Sequence, residues 1–309
     1  MRMSDHRNTF KLKERRNMRD IKEYNPVTVF IYYLSAVLVS MFTMNPVLHI
    51  ISFVGGFIQF LIIPAKGKLR THIWYFLIGL ILATIRPLFS HNGATVLFII
   101  NDNPITKEAF IFGLNQAIMV VGVLYLFRVF SEIMTSDRLL YVFGKTSPKS
   151  ALIMSMGLKF IPMLRRQRKI TADAQTAIGM NKDDNAIDRI HGGLNVFSAT
   201  VSWGLENGII TADSMAARGY GEGKRSVYSR YSFKRRDVIL IVISIGLLAP
   251  VIAAIIKGSF DTVFYPLFTV AELDTIAYIG YISYAVLMMI PIILKLLETF
   301  RWKYLMSKI

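Results

Sequence analysis

Long apolar runs alternate with short charged stretches along the chain. Residues 27–44 carry no charge, and Asn45-Pro46 breaks the run as a turn does. Residues 47–63 form a second run with Gly55-Gly56 inside it. Residues 73–85 form a third, which Arg86-Pro87 is expected to end. Residues 109–134 form a fourth, interrupted late by Arg128. Residues 238–256 and 276–294 form a fifth and a sixth. The first is about long enough to cross a hydrocarbon core of ~30 Å as a helix. The pattern therefore predicts an all-α polytopic membrane protein of about six transmembrane helices.

Charge gives these spans a direction. The 309 residues are 53% hydrophobic, yet Lys and Arg number 36 against 20 acids, a formal net charge of +16. A strongly basic chain first suggests nucleic acid. Here the cations gather in the polar stretch 1–23, in the loop 66–72, in the segment 135–236 and at the C-terminus. If the N-terminus lies in the cytoplasm, all of these fall inside. The outside segments hold or border on only Arg86, Lys107 and Lys257. Lys and Arg mark cytoplasmic loops, so the charge reads as an inside marker with both termini cytoplasmic, and no nucleic-acid partner is expected. No long apolar run lies near Met1, so no cleavable signal peptide is expected. With no cysteine, disulfide scaffolds and thiol chemistry are excluded. The resulting division is 1–134 (tail and spans one to four), 135–236 (cytoplasmic or interfacial), and 237–309 (spans five and six with a tail).

The middle segment takes about a third of the chain and is too varied to be a linker. Residues 151–164 are apolar but short for a span and broken by Lys159 and Pro162, which predicts a buried or interfacial helix. Arg165, Arg166, Arg168 and Lys169 follow at once, and then the small-residue stretch 170–180. Residues 185–219 place Leu194, Phe197, Val201, Leu205, Ile209, Ala212, Met215 and Ala216 at three- and four-residue steps, an amphipathic helix. Gly219 suits its C-terminal cap, and Arg218 suits the negative end of its dipole.

The two stretches end alike, in Ala177-Ile178-Gly179 and Ala217-Arg218-Gly219. Small residues at a helix end allow close approach of a partner, and an arginine supplies a rigid fork for a carboxylate. Such a tip fits a groove on another protein. The plain alternative is that Ala and Gly only end two helices and Arg218 is solvated.

Phe160-Ile161-Pro162, Ala174-Gln175 before Ala177, and Ala217-Arg218-Gly219 stand in the order and spacing of the transmembrane T components of energy-coupling factor (ECF) transporters. Asn25-Pro26 at span one agrees, as do Pro104-Ile105-Thr106 and Glu108 before span four. On these residues the chain resembles the EcfT/CbiQ family over nearly its whole length. That family carries an Ala-Arg-Gly triplet at the end of each of two cytoplasmic coupling helices. Here the first triplet has Ile178 in place of Arg.

The resemblance implies a non-catalytic subunit in the cell membrane, without catalytic residues, metal or bound cofactor. Two ABC ATPase subunits would spend the ATP, each receiving one coupling helix. A separate S component would bind a vitamin or a metal ion such as cobalt. Arg218 would pair with an acid in one ATPase groove, and Ile178 would make an apolar contact in the other. The coupling residues would be Ala177, Ile178, Gly179, Ala217, Arg218 and Gly219, supported by Pro162, Ala174 and Gln175. The apolar spans and residues 151–164 would offer the S component a platform, with Met154, Met156, Met163 and Met180 suited to repacking.

Other signals carry less. The run from Gly219 to Ser226 lacks the spacing of a phosphate loop. His6, His49, His72, His91 and His191 are scattered, and Asp183-Asp184 reads as a solvated loop. Glu206 and Asp213 share a helix face, for a partner or for solvent. Arg128 and Glu132 read as an i,i+4 salt bridge. A stand-alone secondary transporter remains the alternative function. It calls for internal repeats and mid-membrane polar groups, neither of which the sequence offers. A membrane-embedded enzyme calls for acids or histidines clustered at a span end.

Overall fold

A computed structural model describes residues 23–62, 68–89, 93–100, 103–179, 186–220, 231–270 and 274–307. The cations before Glu23, together with Lys66, Met180, Asp183-Asp184, residues 221–226 and Lys308, lie outside them. The chain divides into two compact units, residues 1–138 with 231–309, and residues 139–230.

In the first unit, α1 (Pro26–Phe42), α2 (Pro46–Ile62), α3 (Lys68–Phe89), α4 (Lys107–Ile133), α8 (Arg235–Ile256) and α9 (Thr275–Met306) follow the apolar runs. Two antiparallel hairpins join them, β1 (Val96–Ile100) with β2 (Asn103–Thr106), and β3 (Thr262–Val263) with β4 (Thr269–Val270). Helix α5 (Ser136–Thr146) leads into the second unit, whose helices are α6 (Pro148–Ala177) and α7 (Ala186–Ala217). The protein is an all-α polytopic membrane protein.

Four helices, α3, α4, α8 and α9, are long and apolar enough to cross a membrane. α1 and α2 have 17 residues each. At 1.5 Å per residue they reach about 26 Å, at the short limit of a span. Arg86-Pro87 does not end the third helix, which runs on to Phe89. A proline loses one backbone hydrogen bond, and neighbouring helices make that tolerable in membrane helices.

α4 is central and packs on α2, α3 and α1; α9 packs on α2 and α8. Two adjacent glycines let α2 approach both sides. A Cβ at Gly55 would stand 2.8 Å from Met288 Cβ of α9, and one at Gly56 would stand 3.2 Å from the Gly122 carbonyl of α4. Close approach through glycine is a common device between membrane helices.

Buried polar groups tie the helix ends. Asn25 caps α1 and accepts from Val27 N (3.0 Å), and Asn45 does the same for α2 with Val47 N (3.0 Å). Asp237, almost fully buried in the first turn of α8, accepts from Asn25 N and from Lys234 N, both at 2.8 Å. Arg138 donates to the Ile133 carbonyl at the end of α4 and to the Tyr24 carbonyl. The starts of α1 and α8 and the end of α4 therefore lie together, as alternate threading requires. Toward the other end, Asn45 donates to Tyr281 Oη (2.8 Å) and the Phe260 carbonyl. The buried His49 ring lies 2.8 Å from Asn115 Oδ1 and 2.9 Å from the Thr43 carbonyl. Between these clusters Tyr33 donates to Gln59, and Gln59 donates to the Met288 carbonyl.

Asp237→Ala leaves the buried Asn25 N–H and the part-buried Lys234 N–H without their acceptor. It is expected to cost about 2–4 kcal/mol, and Asp237→Asn, which keeps one acceptor oxygen, less than Ala. Apparent melting temperatures of the full chain in mild detergent check the order wild type, Asn, Ala.

Candidate functional site

The second unit is built on a pair of long helices. α6 starts at Pro148, whose fixed φ suits a first helical position. It continues through Pro162 to Ala177, so the two stretches expected on either side of the Arg165 cluster are one helix of 30 residues. α7 turns Gly192, Val196 and Thr200 inward and half-buries Gly204, Gly208 and Thr211, at steps of four and a last step of three. This is the face that meets α6. A Cβ at Gly204 would lie 2.9 Å from Leu164 Cδ2. The expected amphipathic stripe does something else. Leu194, Phe197, Val201, Leu205 and Ile209 are all exposed. The packing seam was legible as small residues spaced by four, of which Gly204 meets Leu164 of the partner helix, a signal the hydrophobic periodicity masks.

Leu164 and Gly204 stand thirteen residues before Ala177 and Ala217, the last residues of their helices. Both helix ends therefore project about 20 Å beyond the same contact. The two ends share a glycine cap at positive φ. Gly219 has φ +70° and donates to the Ala216 carbonyl (2.9 Å), and Tyr220 N donates to the Met215 carbonyl (3.0 Å). This is a Schellman motif with Arg218 as the last half-helical residue. Gly179 has φ +73° and donates to the Thr176 carbonyl (3.1 Å), with Ile178 in the position of Arg218. An L side chain with a Cβ is strained at such φ values.

Each triplet sits on its own tip, and among the described residues no contact joins the two. Ala177, Ile178 and Gly179 are exposed, Ile178 by 69%. Ala217 and Arg218 are exposed and Gly219 is half-buried; among the described residues Arg218 has no carboxylate partner. Of the supporting residues, Pro162 and Ala174 are exposed on α6. Gln175 is half-buried, with its Oε1 unpartnered among the described residues. Glu206 and Asp213 are exposed. Arg128 and Glu132 form the i,i+4 pair at 3.0 Å. Among the described residues, neither tip holds a group placed for proton transfer or nucleophilic attack. What the tips offer is two exposed knobs of equal reach, one cationic and one apolar.

A curated protein named energy-coupling factor transporter transmembrane protein EcfT, from Streptococcus thermophilus (strain ATCC BAA-250 / LMG 18311), is 25% identical over 253 residues, which covers 74% of this chain and 92% of that protein. The likeness supports the EcfT/CbiQ family. It supports, with it, an ECF-transporter T component in a membrane. No family model matches the chain. Ile178 and Arg218 hold the same place before a positive-φ glycine, so the two caps differ in the side chain they present.

Two glycines of the α6 region give opposite expectations. Gly157 lies inside the helix, and a Cβ added there would meet no atom within 4 Å, so Gly157→Ala is expected to stabilise by up to about 1 kcal/mol. Gly179→Ala, just past the helix end, places a Cβ at positive φ and is expected to cost about 1–2 kcal/mol. Hydrogen exchange at the amides of 174–179 checks the contrast.

Proposed function

We propose that the chain is the non-catalytic T subunit of an ECF-type ABC importer. In this reading the second unit faces the cytoplasm, where two ABC ATPase subunits receive the tips of α6 and α7. Closure of the ATPases on ATP moves the tips, and the long helices carry that motion as levers. A separate S component, holding a vitamin or a metal ion, moves in response and releases its cargo inside. The observation that carries the reading is the pair of matched tips, alike in their glycine caps and in reach from their contact, on a chain similar to EcfT.

The chemistry of the tips makes the two ATPase contacts unequal. Arg218 suits a groove with a carboxylate, where a planar guanidinium makes paired hydrogen bonds. Ile178 suits an apolar groove and rejects a charged one. Two different ATPases, or two differently lined grooves, follow from this. The apolar spans and the exposed α7 face of Leu194, Phe197, Val201 and Leu205 would be the platform for the S component. Such a surface binds by apolar contact without fixed hydrogen bonds, which suits a partner that must change its tilt. The S component, rather than this chain, would set which cargo is carried.

The test is co-purification and uptake. Arg218→Ala is expected to weaken assembly with one ATPase by about 30-fold, the effect of removing a hot spot of ~2 kcal/mol, and to reduce uptake with it. Ile178→Ala is expected to act more weakly, and on the other ATPase. If Arg218→Ala leaves assembly and uptake unchanged while Ile178→Ala abolishes both, the assignment of the tips is wrong. Recovery of the chain alone, transporting without ATP, would overturn the T-subunit reading itself.

A further inference from the structure

α6 carries a surface stripe that the tips do not use. Met154, Leu158, Ile161, Arg165 and Lys169 follow one another at steps of four, three, four and four, so they line one side of the helix. All five are exposed. Phe160, Met163, Leu164, Gln167 and Thr171 lie on the other side and are half-buried, the side that meets α7. The stripe is therefore free along its length, and it changes character partway. Its first part is apolar and its second part is cationic. Arg166 and Arg168, both exposed, flank the cationic part on either side.

The four cations fall within residues 165–169. Asp173 is the only acid of α6, and no ion pair joins it to them among the described residues. Four like charges on little more than one turn repel each other, and nothing described in the protein offsets that. The surface that matches this order is a bilayer boundary. From Met154 to Ile161 the helix rises about 10 Å and from Ile161 to Lys169 about 12 Å. An interfacial helix buries its apolar face ~5–10 Å into the acyl boundary, with cations held at the phosphates. Lys159 lies about 100° round the helix from Leu158, to one side of the apolar part.

We infer that this stripe of α6 seats on an anionic bilayer surface, with Met154, Leu158 and Ile161 among acyl chains and Arg165, Arg166, Arg168 and Lys169 on phospholipid headgroups. The arrangement anchors the lever helix on one side while its tip stays clear. It is independent of whether the tips meet ATPases.

The test uses the full chain released from mixed micelles of phosphatidylglycerol and phosphatidylcholine, with retained lipids counted by native mass spectrometry. Wild type is expected to enrich phosphatidylglycerol. Arg165→Gln with Lys169→Gln should lower that enrichment several-fold, since each surface cation contributes about fivefold to anionic-lipid affinity. The quadruple variant that also carries Arg166→Gln and Arg168→Gln should lower it further. Leu158→Asn with Ile161→Asn keeps every charge and should also weaken retention. Unchanged enrichment in the double or quadruple glutamine variants overturns the proposal, as does unchanged retention in the asparagine variant. An equal loss in Arg70→Gln with Lys303→Gln would make the enrichment a bulk-charge effect and overturn it. Displacement of phosphatidylglycerol by excess inorganic phosphate would assign the cluster to a free anion instead. Its loss on adding the co-purified ATPases would assign it to a protein surface.

Discussion

A backbone N–H buried away from water must find an acceptor inside the protein, and at helix starts the helix itself supplies none. Asp237 solves this for two helices at once. Its carboxylate takes Asn25 N before α1 and Lys234 N before α8. Asn25 stands 212 residues before Asp237 in sequence. Asn25 in turn caps α1, and Arg138 fastens the adjoining Tyr24 carbonyl to the end of α4. The helix order of the first unit rests on this cluster. Once the starts of α1 and α8 and the end of α4 are fixed side by side, the glycine contacts of α2 with α4 and α9 complete a closed set.

A cation followed by glycine at a helix end is not by itself a docking knob, and the protein contains the comparison. α8 ends in Lys257-Gly258 with the same bonds, Gly258 N to the Ile255 carbonyl and Ser259 N to the Ala254 carbonyl, and φ +75°. There Lys257 is paired with Asp274 at 2.5 Å, and that hydrogen-bonded ammonium holds the Asp274 carboxyl below its usual range. Arg218 has the same backbone setting and exposure, with no described carboxylate to pair with. The difference lies in what stands beside the cap, and it leaves Arg218 open to a partner.

The sequence made the six apolar helices legible because a membrane run needs only length and absence of charge. It also carried the Arg128–Glu132 pair and both Asn-Pro helix starts, which are local. It was misleading at Pro87 and Pro162, because a proline's lost bond is tolerable in a helix that has neighbours. The hairpins between α3 and α4 and between α8 and α9 left no signal of their own, since their strands are short. The matched tips were half legible. The Ala-x-Gly triplets stand in the sequence, but equal reach depends on the Leu164–Gly204 contact between two helices.

That contact also explains why the hydrophobic pattern of the second unit points outward. Small residues let α6 and α7 approach along Gly204 and Leu164, so the large apolar side chains of α7 are not consumed in holding the pair together. Leu194, Phe197, Val201 and Leu205 remain exposed, as do Met154, Leu158 and Ile161 of α6. Exposed apolar side chains grouped in this way suit an interaction site. A helix pair joined by small residues, with apolar stripes turned away from its own seam, is built to lean on something else. The two stripes ask for apolar surroundings and the two tips for defined grooves, so the pair can be held along its length while its ends are moved.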